Sequence, residues 1–484
     1  MISSLYNQRK NTIRPSQLPM VAGQSNQNDI VIRTLPNMSV HLIFSASDTI
    51  GEIEWNCNGT LISATDQTSG RVQIFSCSET DWSCLIATGS SGLHRVEWHP
   101  TSPQHIFVYS EFNTKMDVWD VIHNQLCVTI QHVVSDIGLV VSNSRTRCLI
   151  IVSQPDSPTN LATLVSISDV HECFKVLTRF PLSDNSPEII GAAWTSNDDG
   201  FVTWESPLKS HIIQYDLRGQ VVSKIDLYPT IPESVASRPL GVSCVAARRD
   251  LLCIGTFTDS VRLFSLRGSL NVLAEFSTKE PTIVISNDSP KVYRETLAGS
   301  ASVLERNVYY AGGVGADTHG VEYRPVVPDK SLKIEGLSTL HLPVADKTAP
   351  IDPKEPPKCG VISASFSPDG RYLSCLSRTR PSTAFIYDIH KMALSHIVIH
   401  RLPIRESCWS PLCDMNRLEL CIVTGDNRLF IWSPNERNRV IKLKDKSFKP
   451  SQAVWTADGS SIIASNQTHS CCIAVADDAP VLGG

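Results

Sequence analysis

Cys408 and Cys413 lie five residues apart with Cys421 beyond them, and thiolates at short spacing are the ligands of zinc sites. No second pair at ligand spacing follows, so core packing explains these thiols better than metal. Cys471 and Cys472 are adjacent within an alternating strand pattern, which sends their thiols to opposite faces. The glycine-rich run AGGVGADTHG (311–320) has the composition of a phosphate-binding loop, but it does not join a strand to a helix. Neither a GxxxxGK[ST] loop, an HExxH helix nor a GxSxG elbow occurs. The 14 histidines are scattered rather than clustered. The sequence therefore nominates no catalytic, cofactor-binding or metal-binding residue, and an enzyme is not expected.

The elements behind these residues repeat. One unit recurs: a β-branched run, an aromatic, a Ser/Thr-Pro or Asp-Gly turn, a second apolar run, then an aliphatic-aromatic-Asp/Ser ending. It is clearest in ISASFSPDGRYLSCLS (362–377) with AFIYDI (384–389). Taking the first-strand aromatic or its equivalent as marker gives positions 55, 98, 141, 194, 245, 366, 409 and 455. Most intervals are near the ~40–45 residues that four strands of a propeller blade need. Period-two alternation and Asp-Gly, Asn-Gly or Ser-Pro turns make the elements strands. A four-stranded sheet cannot bury both faces alone, so each blade packs on its neighbours around an axis.

The expected fold is thus an all-β WD-repeat propeller, a single ring of eight blades with seven as the alternative. Segment 29–45 reads as two strands without a first-strand motif, and the last copy stops near 476. Pairing of the two ends would then complete one blade and remove exposed edges. The expected layout is a tail or degenerate blade at 1–28, blades over 29–279 and an inserted loop at 280–357. Blades resume over 358–476, and a short tail covers 477–484. The insertion ends in LPVADKTAPIDPKEPPK, whose five prolines resist regular structure.

Structural roles are expected for the repeat positions. Trp55, Trp98, Trp194, Phe366, Trp409 and Trp455 mark first strands, and Trp119, Tyr387 and Trp432 fill the space between blades. Asp120 and Asp388 end third strands, Asp369 and Gly370 form a turn, and Asp259 and Asp426 sit where a carboxylate caps a tight hairpin.

Composition sets outer limits. A net charge of −5 gives no basic footprint for nucleic acid. No stretch approaches the roughly 18 apolar residues of a membrane span, and the N-terminus lacks the apolar core of a secretory signal. The fifteen cysteines then read as reduced thiols of a cytoplasmic protein.

The tracts KCGVISASFSPDGRYLSCLSRTRPSTAFIYDIHKM, PIRESCWSP and GDNRLFIWSP resemble the C-terminal half of the WD-repeat-containing protein 8 family. GEIEWNCNGTLIS, RVQIFS, DWSCLIATGSSGLHRVEWHP and YSEFNTKMDVWDV are similar to its N-terminal half, in order. The likeness runs from about residue 29 to 476. Family members begin with an intact Phe-Ser-Pro-Asp-Gly copy, whereas this chain reads NTIRPSQLPMVAG (11–23). The resemblance implies a protein of the centrosome, centriolar satellites and spindle poles. There it would work with a coiled-coil microtubule-anchoring partner in minus-end anchoring, spindle assembly and cilium formation. Two other readings are a WD-repeat subunit or substrate receptor of another complex, such as a ubiquitin ligase or RNA-processing assembly, and an enzyme with a central-channel site. The last requires acidic or histidine side chains converging at one mouth of the ring.

Overall fold

The computed structural model describes residues 6–7, 9–13, 20–24, 27–35, 38–154, 159–167, 174–182, 188–230, 239–278, 282–285, 290–297, 308–310, 321–325, 338–341, 359–414, 417–435, 438–443, 445–466 and 469–475. Among them, nine four-stranded antiparallel blades follow one another in chain order. Blade 1 spans residues 9–45, blade 2 52–87, blade 3 95–131, blade 4 140–181, blade 5 189–226 and blade 6 242–277. Blades 7 and 8 span 361–399 and 406–442. Blade 9 uses strands from 452–474 plus Tyr6–Asn7, which pairs with His469–Ala474 (Tyr6 opposite Ser470). First strands touch between blades 1 and 2, 4 and 5, 6 and 7, 7 and 8, and 8 and 9, which sets them on the inside of the ring with the fourth strands at the rim.

The ring therefore has nine blades, not the eight or seven expected. The eight sequence markers occupy eight separate blades, 2 to 9. Residues 29–45, read as part of a blade shared by the chain ends, are the third and fourth strands of a complete blade 1. Its first strand, Arg9–Ile13, carries no aromatic and so gave no marker. The strand shared across the seam is only Tyr6–Asn7, too short to announce itself by alternation.

Why these sequences make this sheet is visible at the turns. Asp120 Oδ1 accepts hydrogen bonds from the N–H groups of Ile122 (3.0 Å) and His123 (3.1 Å), closing the hairpin between third and fourth strands. Asp388 does the same for His390 and Lys391. Gly370 holds φ +79°, and the Asp369 carboxylate takes the Ser367 hydroxyl and the Arg371 N–H. In blades 1, 3, 4, 5, 6 and 7 the third-to-fourth pairing slips by one residue at the same place, as between Val118 and Trp119 or Ile386 and Tyr387. Such bulges strengthen twist, which blades splayed round an axis require.

The core is divided among the junctions. Each pair of neighbouring blades shares an apolar cluster, for example Ile74, Val96, Trp98 and Ile106 between blades 2 and 3. Cys471 packs in the cluster shared with blade 8 and Cys472 in the one shared with blade 1, opposite faces of one strand.

Among the described residues of 280–357, five strands occur, and three of them clad the rim. Lys291–Leu297 adds in parallel to Ala393–Ile399 of blade 7, and Val321–Pro325 adds to it in turn. Val308–Tyr310 adds in parallel to Arg439–Lys442 of blade 8. Buried Glu295 accepts the Arg401 N–H at 3.0 Å and lies 3.5 Å from His400 Nδ1. Burial opposes ionisation of Glu295, but the bonds from His400 and Arg401 outweigh it, and its carboxyl sits below the usual range. AGGVGADTHG and the proline-rich tract 342–358 lie outside the described residues.

Candidate protein-binding face

The first-strand tryptophans do more than fill space. Trp98 Nε1 donates to the Glu54 carbonyl (3.3 Å) and Ser63 Oγ (3.1 Å) of blade 2. Trp194 donates to the Val140 carbonyl of blade 4 (2.7 Å), Trp409 to Ser365 of blade 7 (3.1 Å) and Trp455 to Cys408 of blade 8 (3.2 Å). Every carbonyl acceptor belongs to the residue just before the preceding blade's marker. The indole thus staples the inner strand of one blade to that of the blade before it, and Trp55 is buried at the equivalent position of blade 2. Val141, Val245 and Phe366 hold the marker position in blades 4, 6 and 7 and have no such donor.

Third-strand aromatics Tyr387 and Trp432 are almost wholly buried and Trp119 largely so. Tyr387 stacks on Phe276 of the preceding blade at 4.3 Å between centroids. Asp259, at φ +61°, reaches beyond its own turn: Oδ1 accepts the Gly360 N–H (3.1 Å) and the hydroxyls of Ser377 (2.6 Å) and Thr379 (2.8 Å) in blade 7. Asp426 stays local, capping Asn427 N–H and pairing with Arg428. The buried Asp198, which no motif marked out, crosses between blades by accepting the N–H groups of Asn143 and Ser144. These positions are spread one junction at a time round the ring and do not converge on a site.

What does converge lies at the channel mouth between blades 2 and 3. In Glu52–Trp55 and Arg95–Trp98, alternate residues are buried, so Glu52, Glu54, Arg95 and Glu97 face the axis. With His94 and Gln67 they line a cavity of about 700 Å³. Glu97 pairs with Arg95 and also accepts Tyr109 Oη–H (2.7 Å) and the Leu139 N–H (3.1 Å). Glu54 opens onto the channel but is crowded by the surrounding wall; that burial, helped by Glu52 and opposed by Arg95, pushes it up to about 7. Other first strands also expose apolar side chains, Ile190, Ile362 and Val454 among them. The hydroxyls beside the carboxylates are engaged: Ser63 with Glu54 and Trp98, Thr65 with Glu52 N–H. Three carboxylates facing one opening make this part of the mouth acidic.

Loops joining second to third strands share this face. Phe112 in blade 3 is 91% exposed and Leu208 in blade 5 79%. No pattern marks either of them, since each is a lone large apolar side chain in a short turn.

Cys408 faces Cys421 across a strand pair, and the hydrogen bond between them together with burial raises Cys421 well above its ordinary value. Cys413 is exposed. Among the described residues no three His, Cys, Asp or Glu side chains are grouped to hold a metal ion, and no described helix is long and apolar enough to cross a membrane.

No protein-family profile matches the chain. A mouse (Mus musculus) protein, WD repeat-containing protein WRAP73, is 25% identical over 465 residues, 92% of this chain and 89% of the relative. Among solved structures, the C-terminal WD40 domain of Sif2 superposes with a TM-score of 0.46 and 12% identity, covering 88% of this chain and 96% of that one. By its repeats and its ring of blades, this chain is a β-propeller, similar over almost its whole length to a WD repeat-containing protein.

Proposed function

We propose that this chain is a non-enzymatic protein-interaction scaffold of the centrosome and spindle pole. In this role it binds a coiled-coil microtubule-anchoring partner and supports minus-end anchoring, spindle assembly and cilium formation. The observation that carries the scaffold reading is the rigid ring whose one face presents exposed apolar side chains, Phe112 and Leu208, on short tethered loops. A large apolar side chain held out on a tethered loop is the kind of anchor a partner's pocket can cover. Near full-length similarity to a WD repeat-containing protein supports the class. The step to the centrosome rests on the tracts that resemble the WD-repeat-containing protein 8 family, above all DWSCLIATGSSGL, which falls outside the general repeat pattern.

The test is to tag the full chain in dividing cells, image it and identify what co-purifies. Spindle-pole signal with a coiled-coil microtubule-anchoring protein recovered is the expected result. Diffuse or nuclear signal, or recovery of ubiquitin-ligase or RNA-processing subunits instead, would overturn the centrosomal assignment. The converging carboxylates and His94 at the mouth are the arrangement a channel enzyme would need. Occupation of the neighbouring hydroxyls by structural bonds favours binding over turnover.

A further inference from the structure

The loop between the second and third strands of blade 3 is strained in an unusual way. Two successive residues, Phe112 (φ 55°) and Asn113 (φ 54°), are left-handed. Asn tolerates that region through its short polar side chain, but an aromatic residue there is a genuine outlier. No packing compensates, because the ring is 91% exposed. The conformation persists because its flanks are fixed. Asn113 Oδ1 accepts both the N–H (2.9 Å) and the hydroxyl (2.6 Å) of Ser135, in the connection to blade 4. Ser110 N–H bonds the Lys115 carbonyl, Thr114 N–H that of Glu111, and His132 N–H that of Thr114. Backbone strain maintained by its surroundings, on a residue that serves no core, marks a group held ready for contact.

The surroundings give the partner's charge. Glu111 lies against Gly92, where a Cβ would meet its carboxyl carbon at 2.7 Å. Asp136, with its side chain 76% exposed, accepts His94 Nε2 at 3.1 Å beside the tethering Ser135. Beyond His94 and Arg95 opens the cavity lined by Glu52, Glu54 and Glu97. An apolar knob is thus bordered by carboxylates on one continuous face.

We propose that Phe112 anchors a docking site for a basic amphipathic segment of a partner protein. The ring seats in the segment's apolar stripe, and one of its Lys or Arg side chains enters the cavity between blades 2 and 3. This rests on the scaffold reading and names its site. Anionic lipid or nucleic acid would be repelled by the same carboxylates. A two-fold contact with a second copy would set the acidic patches against each other.

The test uses the full chain and a fluorescent helical peptide of about 18 residues, five turns, with Leu at positions i, i+3, i+4 and i+7 and Lys elsewhere. A second peptide carries Glu in place of Lys. Wild type is expected to bind the Lys peptide and not the Glu peptide. Phe112→Ala and Phe112→Gly should each weaken binding at least about 30-fold, the scale of an interface hot spot. Ile43→Ala, an exposed apolar residue on the outer strand of blade 1, should leave it unchanged. Phe112→Gly relieves the left-handed strain, so its Tm should equal or exceed wild type, which separates lost contact from lost fold. Equal binding by wild type and both Phe112 variants would overturn the proposal. So would equal binding of the Glu peptide, or a wild-type dimer in sedimentation that Phe112→Ala dissolves. If Phe112→Ala loses the peptide but recovers the same cellular partners as wild type, the docking site falls and the scaffold stands. If wild type itself recovers no partner, the scaffold reading falls.

Discussion

Replacing Trp98 by Phe removes the staple between blades 2 and 3 while leaving an aromatic ring in place. The indole N–H now reaches the Glu54 carbonyl and Ser63 Oγ, at a side chain only 8% exposed. Losing a donor to buried acceptors costs about 1–2 kcal/mol, and the smaller ring leaves a void worth about 1 kcal/mol more. The sum is about 2–3 kcal/mol. Over 484 residues, at about 2.1 cal/mol/K each, the unfolding entropy is about 1 kcal/mol/K. Tm should therefore move only about 2–3 °C, and local opening is the better readout. Hydrogen exchange in Glu52–Trp55 and Arg95–Trp98 should speed up about 30-fold if 2 kcal/mol of local protection is lost. Trp119 supplies the control. Its ring packs in the same junction, but its buried Nε1 has no hydrogen-bond partner, so Trp119→Phe loses area without losing a bond. A Trp98→Phe, Ser63→Ala cycle should show a coupling of about 1 kcal/mol. Identical exchange in the two Phe variants, or a coupling near zero, would refute the staple.

Asp259→Ala should cost about 3 kcal/mol or more, because three donors around Gly360, Ser377 and Thr379 are left facing a void, whereas Asp426→Ala should cost under about 1 kcal/mol; urea midpoints of the two variants check this, and equal losses would contradict it. Binding of the Lys peptide should strengthen as pH rises through about 7, when Glu54 ionises beside Glu52, Arg95, Glu97 and His94. The stability term runs the other way: a carboxyl raised in the folded state stabilises fully below its ordinary value and loses that contribution as pH rises through about 7. Titrating both quantities in Glu54→Gln should flatten both profiles. Deleting 280–357 and joining the ends by a short linker is sterically allowed, since Thr278 N–H and Gly360 N–H both bond Asp259. The deletion uncovers the parallel-paired edge of Ala393–Ile399, including buried Ile397, Val398 and Ile399. Light scattering should then show self-association absent from the full chain.

The ring was readable in the sequence because most blades repeat an inner-strand marker at an interval close to one blade length. Even Val141 could be found by the strands around it. Blade 1 escaped because recognition depended on an aromatic that Arg9–Ile13 does not have, although the hydrogen-bond ladder to Met20–Gln24 needs none. The same divide explains the staples. Spacing located Trp98, Trp194, Trp409 and Trp455, but only the closed ring brings their N–H groups to a carbonyl one residue before the previous marker. In the insertion, Lys291–Leu297 alternates too weakly to predict a strand, and its partner edge is supplied by a blade about a hundred residues later. Tertiary pairing, not local propensity, makes it a strand.

The proposed docking face was the least visible of all, for a reason that follows from what function asks of a surface. Core positions repeat because every junction poses the same packing problem, so their pattern accumulates along the chain. Phe112 answers a problem posed once, and a single aromatic in SEFNT carries no period. Its signal is conformational: a positive φ at an exposed ring, retained by Asn113 and Ser135. The carboxylates show the same contrast. Glu52, Glu54 and Glu97 read as the solvent-facing half of ordinary strands, and become one charged mouth only when blade 3 follows blade 2 around the axis. If the face binds as proposed, exchanging this loop for the corresponding turn of blade 5 should abolish peptide binding while leaving the neighbouring staples, and hence the ring, intact. Loss of the Trp98 staple in that chimera would instead show that the loop's strain serves the fold.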